Sequence, residues 1–122
     1  MGGSFNPAHE GHRHISLLAL KLLQLDEVWW MVSPQNPLKP TEGMAPFEDR
    51  LAEAHLLANH PNIRVTDIEE RLGTTNTAES LALLKLSFPA TKFVWIMGAD
   101  NLKQISRWHR WTRIFNQVPI AV

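Results

Sequence analysis

The chain has 122 residues, 44% of them hydrophobic, which is enough for the core of one domain and no more. Lysine plus arginine balances aspartate plus glutamate at 12 each, leaving no global charge with which to hold nucleic acid or an anionic membrane surface. With no cysteine, disulfides, thiol nucleophiles and cysteine-ligated zinc are excluded, and no uncharged run approaches the length needed to cross a bilayer. The start shows no basic segment leading into an apolar core, so a cytoplasmic protein is the expectation.

The first stretch, Gly2-Gly3-Ser4-Phe5-Asn6-Pro7-Ala8-His9-Glu10-Gly11-His12, runs straight into an apolar-periodic segment. The glycines permit a tight turn and a close approach to a ligand, and Asn6-Pro7 keeps Asn6 out of the helical region. His9 and His12 then stand where a helix begins. Free N–H groups and a partial positive charge at a helix start make an anion site, and two imidazoles add donors able to carry charge near neutral pH. Such a stretch is a phosphate cradle. Three histidines so close together, His9, His12 and His14, also raise a metal site, but no acidic residue follows at ligand spacing.

His12 to Leu25 reads as a helix with an inner stripe of Ile15, Leu18, Leu22 and Leu25, widened by Leu17, Leu20 and Leu23. Val28 to Val32 is a continuous apolar run, as in a strand buried on both faces. Ser33 to Gly43 is a proline-broken loop carrying Asn36 and Lys39. Pro46 suits the first turn of a second helix to Asn59, with Phe47, Leu51, Ala54 and Ala58 inward and Arg50 on one of its faces. Ile63 to Thr66 alternates as a strand, and Asp67 to Thr75 reads as a polar loop. Asn76 with Glu79 is a capping-box pair for a helix over Thr77 to Phe88. Phe93 to Met97 is a further buried strand, and Gly98 to Asn101 is the turn at its end. Ile105, Trp108, Trp111 and Phe115 make an amphipathic stretch, and Pro119 to Val122 begins another strand. Arg107, Arg110 and Arg113 beside Trp108 and Trp111 permit a nucleic-acid patch, which the neutral chain disfavours.

Alternating strands and helices predict a parallel α/β sheet with right-handed crossovers, whose ligands sit beyond the carboxyl ends of the strands. The glycine-rich start, the proline loop, the loop before Thr77 and the Gly98 turn all fall at that edge. The chain has one domain and lacks a strand before Gly2 to deliver the glycine loop. It ends on a strand with no helix after it, as a piece cut at both ends would.

The opening stretch resembles the signature of the nucleotidyltransferase superfamily with the His-x-Gly-His element. Together with Gly98-Ala99-Asp100-Asn101-Leu102 and Trp108, it is most similar to the nicotinate-nucleotide adenylyltransferases. The resemblance implies a Rossmann-like nucleotidyltransferase fold without its first strand and C-terminal helices. It implies adenylyl transfer from ATP to nicotinate mononucleotide, in NAD biosynthesis. His9 and His12 would be catalytic, and Gly2, Gly3, Ser4, Phe5, Gly98 and Asp100 would join them in binding ATP. Asn36, Lys39, Arg50, Thr77 and Trp108 would bind the mononucleotide: Lys39 its phosphate, Thr77 its carboxylate through the helix start, Trp108 its ring. Each has a plainer reading: Lys39 and Arg50 as exposed charges, Thr77 as a helix-start residue, Trp108 as a core aromatic. Mg²⁺ would be held mainly by the ATP phosphates. The family has an aromatic residue where this chain has Asn76. Pantetheine-phosphate and cytidylyl-transferring relatives, a synthetase domain and a non-catalytic nucleotide-binding remnant are the alternatives.

Overall fold

The computed structural model describes residues 1–34, 43–74 and 76–122, with the backbone alone at Asp100. In order these are β1 (Gly2–Gly3), α1 (Glu10–Leu22), β2 (Val28–Val32), α2 (Phe47–Ala58), β3 (Ile63–Thr66), α3 (Ile68–Leu72), α4 (Thr77–Ser87), β4 (Trp95–Ile96), α5 (Ala99–Gln104), a 3-10 turn over Ile105–Arg107, α6 (Trp111–Gln117) and β5 (Ile120–Ala121). β1, β2 and β3 pair in parallel in that order, with Gly2 opposite Met31 and Val28 opposite Ile63; β4 and β5 pair in parallel, with Trp95 opposite Ile120. Parallel neighbours joined through helices are the expected α/β architecture.

The paired glycines depart from expectation. Gly2 and Gly3 are themselves the strand β1, and the amide of Met31 also donates to the carbonyl of Met1 at 2.8 Å. Glycine is a poor strand residue, but at Gly2 a side chain has no room: a Cβ there would stand 2.8 Å from Cη2 of Trp95. The indole of β4 packs against β1 at the point where the strand is bare.

α1 buries a face other than the one its leucines suggest. Ser16 and Ala19 are the buried positions, Leu17 and Leu20 flank them, and Ile15, Leu18, Leu22 and Leu23 are exposed. The reason is Trp30, which is fully buried on β2 and whose indole N–H donates to Ser16 Oγ at 2.7 Å. Small residues on α1 let the helix lie close to that ring, and the hydroxyl satisfies its donor. In α6 the inward residue is Ile114, followed by Val118, while Trp111 and Phe115 are exposed and stack edge to face at 5.9 Å. Ala54 and Ala58 of α2 are buried as expected, with Phe47 and Leu51 packed beside them.

The segment after β3 is a helix rather than a loop. α3 starts at a Thr66 hydroxyl that accepts from the Ile68 amide, and ends on Gly73 in the left-handed conformation, φ 71°. Only glycine takes that conformation at no steric cost, so Gly73 both stops α3 and turns the chain toward α4. α4 begins as expected, with Asn76 Oδ1 accepting from the Glu79 amide at 3.0 Å. The strand expected over Phe93 to Met97 is shorter, and Gly98 serves as the N-cap of α5.

Candidate functional site

The glycine-rich segment leaves β1 and reaches α1 through two tight features. Phe5 takes φ 49°, a conformation that costs a non-glycine residue about 1–2 kcal/mol. Its ring is buried, stacked on Trp30 at 5.4 Å and beside His12 at 4.7 Å, and that burial offsets the strain. Phe5 therefore offers a ligand its main chain only. Asn6, joined to Pro7 by a cis bond, accepts from the Ala45 amide and donates to the Gly43 carbonyl, tying the approach to α2 onto the cradle.

α1 begins two residues before the position its periodicity suggests, and the two histidines build its cap. His9 Nδ1 accepts from the Gly11 amide at 3.1 Å, and His12 Nδ1 accepts from the His9 amide at 3.0 Å. This is a capping box made of imidazoles, a reciprocal arrangement ordinarily made by Ser or Thr with Glu or Gln. An imidazole that accepts at Nδ1 carries its neutral-state proton on Nε2. Both rings thus keep an Nε2–H donor that the cap does not use. Their centroids are 3.9 Å apart. Burial, with His9 beside it, holds His12 below the ordinary histidine value of 6.5. Burial therefore favours the uncharged form of His12, which still donates from Nε2.

Gly11 is required by the same geometry. A Cβ there would lie 2.8 Å from His9 Cε1 and 2.9 Å from its Nδ1. In an ordinary helix alanine would be favoured over glycine by about 0.5–1 kcal/mol. Here Gly11→Ala is expected to displace the His9 ring and forfeit its bond from the Gly11 amide, a loss of about 1 kcal/mol that the helix preference for alanine offsets, so the melting temperature changes little. Thermal melts beside the NMR shifts of the His9 ring check this.

Arg50 is 1% exposed and reaches back across the strand ends. Its Nε donates to the Ala45 carbonyl at 2.9 Å, and its Nη1 to the carbonyls of Ser4 at 2.7 Å and Ser33 at 2.8 Å. The guanidinium thus joins the ends of β1 and β2 to the start of α2. The plain reading of Arg50 as an exposed charge is corrected: its partners are main-chain oxygens distant in sequence, which spacing does not reveal.

These elements border a cleft of about 1120 Å³. Of the expected site residues, Gly2, Gly3, Ser4, Phe5, His9, His12, Arg50, Thr77 and Trp108 line it. Gly98 does not; the α5 residues Asn101 and Gln104 stand on the cleft in its place. Asn36, Lys39 and the side chain of Asp100 lie outside the described residues. His14 is exposed, and among the described residues no three of His, Asp and Glu converge to hold a metal ion. No helix among those residues is long and apolar enough to cross a membrane.

Sequence reasoning missed Asn76, Arg107, His109 and Glu69 as cleft residues. Glu69 is the least expected, being 6% exposed. Burial pushes its carboxyl above the ordinary value, against a hydrogen bond from Ser80 that pulls it down. The available signal was Ile68 and Leu72 four residues apart before Gly73, a single helical turn with its glycine stop.

Comparison with known proteins identifies the family and the fold. The cytidylyltransferase-like family matches residues 1–122. A Parvibaculum lavamentivorans protein named probable nicotinate-nucleotide adenylyltransferase is 58% identical over 122 residues, which are 100% of this chain and 61% of that protein. One of the same name from Cereibacter sphaeroides is 59% identical over 100% of this chain and 65% of its own length. The chain thus spans between three fifths and two thirds of these relatives. The Plasmodium falciparum nicotinic acid mononucleotide adenylyltransferase complexed with NaAD shares the fold, with a TM-score of 0.79 at 22% identity, over 93% of this chain and 57% of that one. A Vibrio parahaemolyticus structure does likewise, with a TM-score of 0.76 at 19% identity, over 98% of this chain and 71% of that one.

Proposed function

The chain belongs to the cytidylyltransferase-like family, and from that premise we propose that it transfers the adenylyl group of ATP to nicotinate mononucleotide, in NAD biosynthesis. The products are nicotinate adenine dinucleotide and pyrophosphate. The observation that carries this reading is the pair of imidazoles whose Nδ1 atoms cap α1 and whose Nε2–H donors are left over at the cleft. The names of the relatives supply the acceptor.

A phosphate oxygen of the mononucleotide attacks the α-phosphorus of ATP in line. A new P–O bond forms as the bond to the β-phosphate oxygen breaks, and the pair of electrons leaves with pyrophosphate. No covalent bond to the protein is needed, so the chain contributes position and charge stabilisation. His9 and His12 donate from Nε2 to the ATP phosphates and to the oxygens that gain charge in the five-coordinate state. Gly2, Gly3, Ser4 and the main chain of Phe5 form the floor against which the triphosphate lies, and Asp100, in the first turn of α5, takes the adenosine ribose. Thr77 begins α4, whose first amides suit a carboxylate, and Trp108 offers a ring face for the pyridine. Asn36 and Lys39 take the mononucleotide phosphate.

Mg²⁺ carried by the ATP phosphates would neutralise charge on the triphosphate. Among the described residues the lining offers donors such as His9, His12 and Arg107 and no three converging carboxylates, which suits a metal ion held by phosphate oxygens. A need for ATP and a mononucleotide supports a cytoplasmic location.

The test is pyrophosphate release with ATP and a panel of acceptors: nicotinate mononucleotide, nicotinamide mononucleotide and 4′-phosphopantetheine, with CTP in place of ATP as a further arm. Nicotinate mononucleotide with ATP is expected to give a kcat/KM at least tenfold above every other pair. Another pair ranking first would assign a different transfer, and no release from any pair would leave a nucleotide-binding protein.

A further inference from the structure

Glu69 is a buried carboxyl in the cleft wall with no part in the proposed transfer. It sits on α3, and its partners are on the approach to α4 and on α4 itself. Ser80, fully buried, donates to Glu69 Oε2 at 2.9 Å. Its Oγ also lies 2.8 Å from the hydroxyl of Thr74, which is 3% exposed, and 3.0 Å from the Asn76 carbonyl. The main chain repeats the tie, because the Thr74 amide donates to the Glu69 carbonyl at 3.1 Å. One side chain therefore holds α3, the residue after its glycine stop and the first turn of α4 in a single network.

Ser80 stands four residues after Asn76, on the inner side of the first turn of α4, and Asn76 and Thr77 line the cleft. The one hydroxyl proton of Ser80 is shared between Glu69 Oε2 and the Asn76 carbonyl, which leaves its oxygen to accept from Thr74. Glu69 supplies the strong acceptor that fixes that direction. Burying a carboxyl is costly, and an apolar residue would pack the same junction without that cost. The carboxyl stands beside the first turn of α4, whose Thr77 lines the cleft.

We propose that Glu69 is a positioning residue: through Ser80 it fixes the first turn of α4 against the cleft, and so sets how well the α4 amides receive the acceptor's carboxylate. The second half of this statement rests on the function proposed above; the first half does not.

The test compares Glu69→Leu, which removes the acceptor, with Glu69→Gln, which keeps one, and with Ser80→Ala, which removes the relay. Hydrogen exchange of the Glu79 and Ser80 amides, which donate to Oδ1 and the carbonyl of Asn76, is read without substrate. It is expected to quicken about tenfold in E69L and S80A and to stay within twofold in E69Q, the loss of one buried hydrogen bond being of that size. In the assay, E69L and S80A are expected to raise KM for nicotinate mononucleotide about tenfold. KM for ATP and kcat stay within about twofold, and E69Q restores the acceptor KM. Should E69L fail to fold, S80A carries the same readings. Unchanged exchange, equal rises in both KM values, or an E69Q as impaired as E69L would overturn the proposal. If exchange quickens as stated but nicotinate mononucleotide is no substrate, the fixing of α4 stands and the acceptor assignment falls.

Discussion

His12→Ala is expected to lower kcat by about 10²–10³-fold, the usual loss when one aimed donor to developing charge is removed. The effect falls on kcat because the Nε2–H contact strengthens as the α-phosphorus becomes five-coordinate. The same substitution also removes the acceptor for the His9 amide, so α1 loses half of its cap, about 1 kcal/mol. The two losses are separable. Glutamine is a regular N3 partner in a capping box, so His12→Gln is expected to recover the stability without the rate. Chemical denaturation read beside steady-state kinetics distinguishes them. A His12→Gln enzyme with full turnover would mean that the imidazole serves the helix alone.

Arg50→Met is expected to cost about 3–5 kcal/mol of folding stability, the scale of stranding several buried acceptors at once. Three carbonyl oxygens, those of Ser4, Ser33 and Ala45, lose the donors described here. Each stranded acceptor costs about 1–3 kcal/mol when water does not reach it. For a domain whose whole stability is about 5–15 kcal/mol, Met at this position leaves little margin. Lysine is not a conservative replacement, because a single ammonium has no planar fork with which to span the three oxygens. Urea denaturation of the wild type, Arg50→Met and Arg50→Lys measures this. A melting midpoint for Arg50→Met equal to the wild type would show that the guanidinium is not what joins the strand ends, and would return Arg50 to a role in ligand binding alone.

Two of the strands were the most legible elements of the sequence. Val28–Val32 and Ile63–Thr66 occur over the residues expected, because a continuous apolar run and a short alternation each have few other ways to bury themselves. The start of α4 was legible through Asn76 and Glu79, a local pair whose geometry needs nothing from elsewhere. The inner face of α1 was not. Leucines lie all round that helix, so hydrophobicity gives no contrast, and the deciding contact is Ser16 with a tryptophan on another element. α3 is five residues long, too short for a period to show.

The site divides in the same way. His9 and His12 were legible because the cap, the glycine and both imidazoles lie within four residues of one another. Glu69 and the partners of Arg50 were not, because each joins segments distant in sequence. Gly98 was legible as a strand-end turn, but it caps α5 and leaves the cleft to Asn101 and Gln104.

The most direct test of a nucleotide held by two imidazoles is a crystal structure of the protein with nicotinate adenine dinucleotide. The diphosphate is expected within hydrogen-bond reach of Nε2 of both His9 and His12, with the pyridine carboxylate at the first amides of α4 and the ring against Trp108. A dinucleotide bound with its diphosphate away from both imidazoles, or with its pyridine remote from Thr77, would contradict the assignment of the cleft.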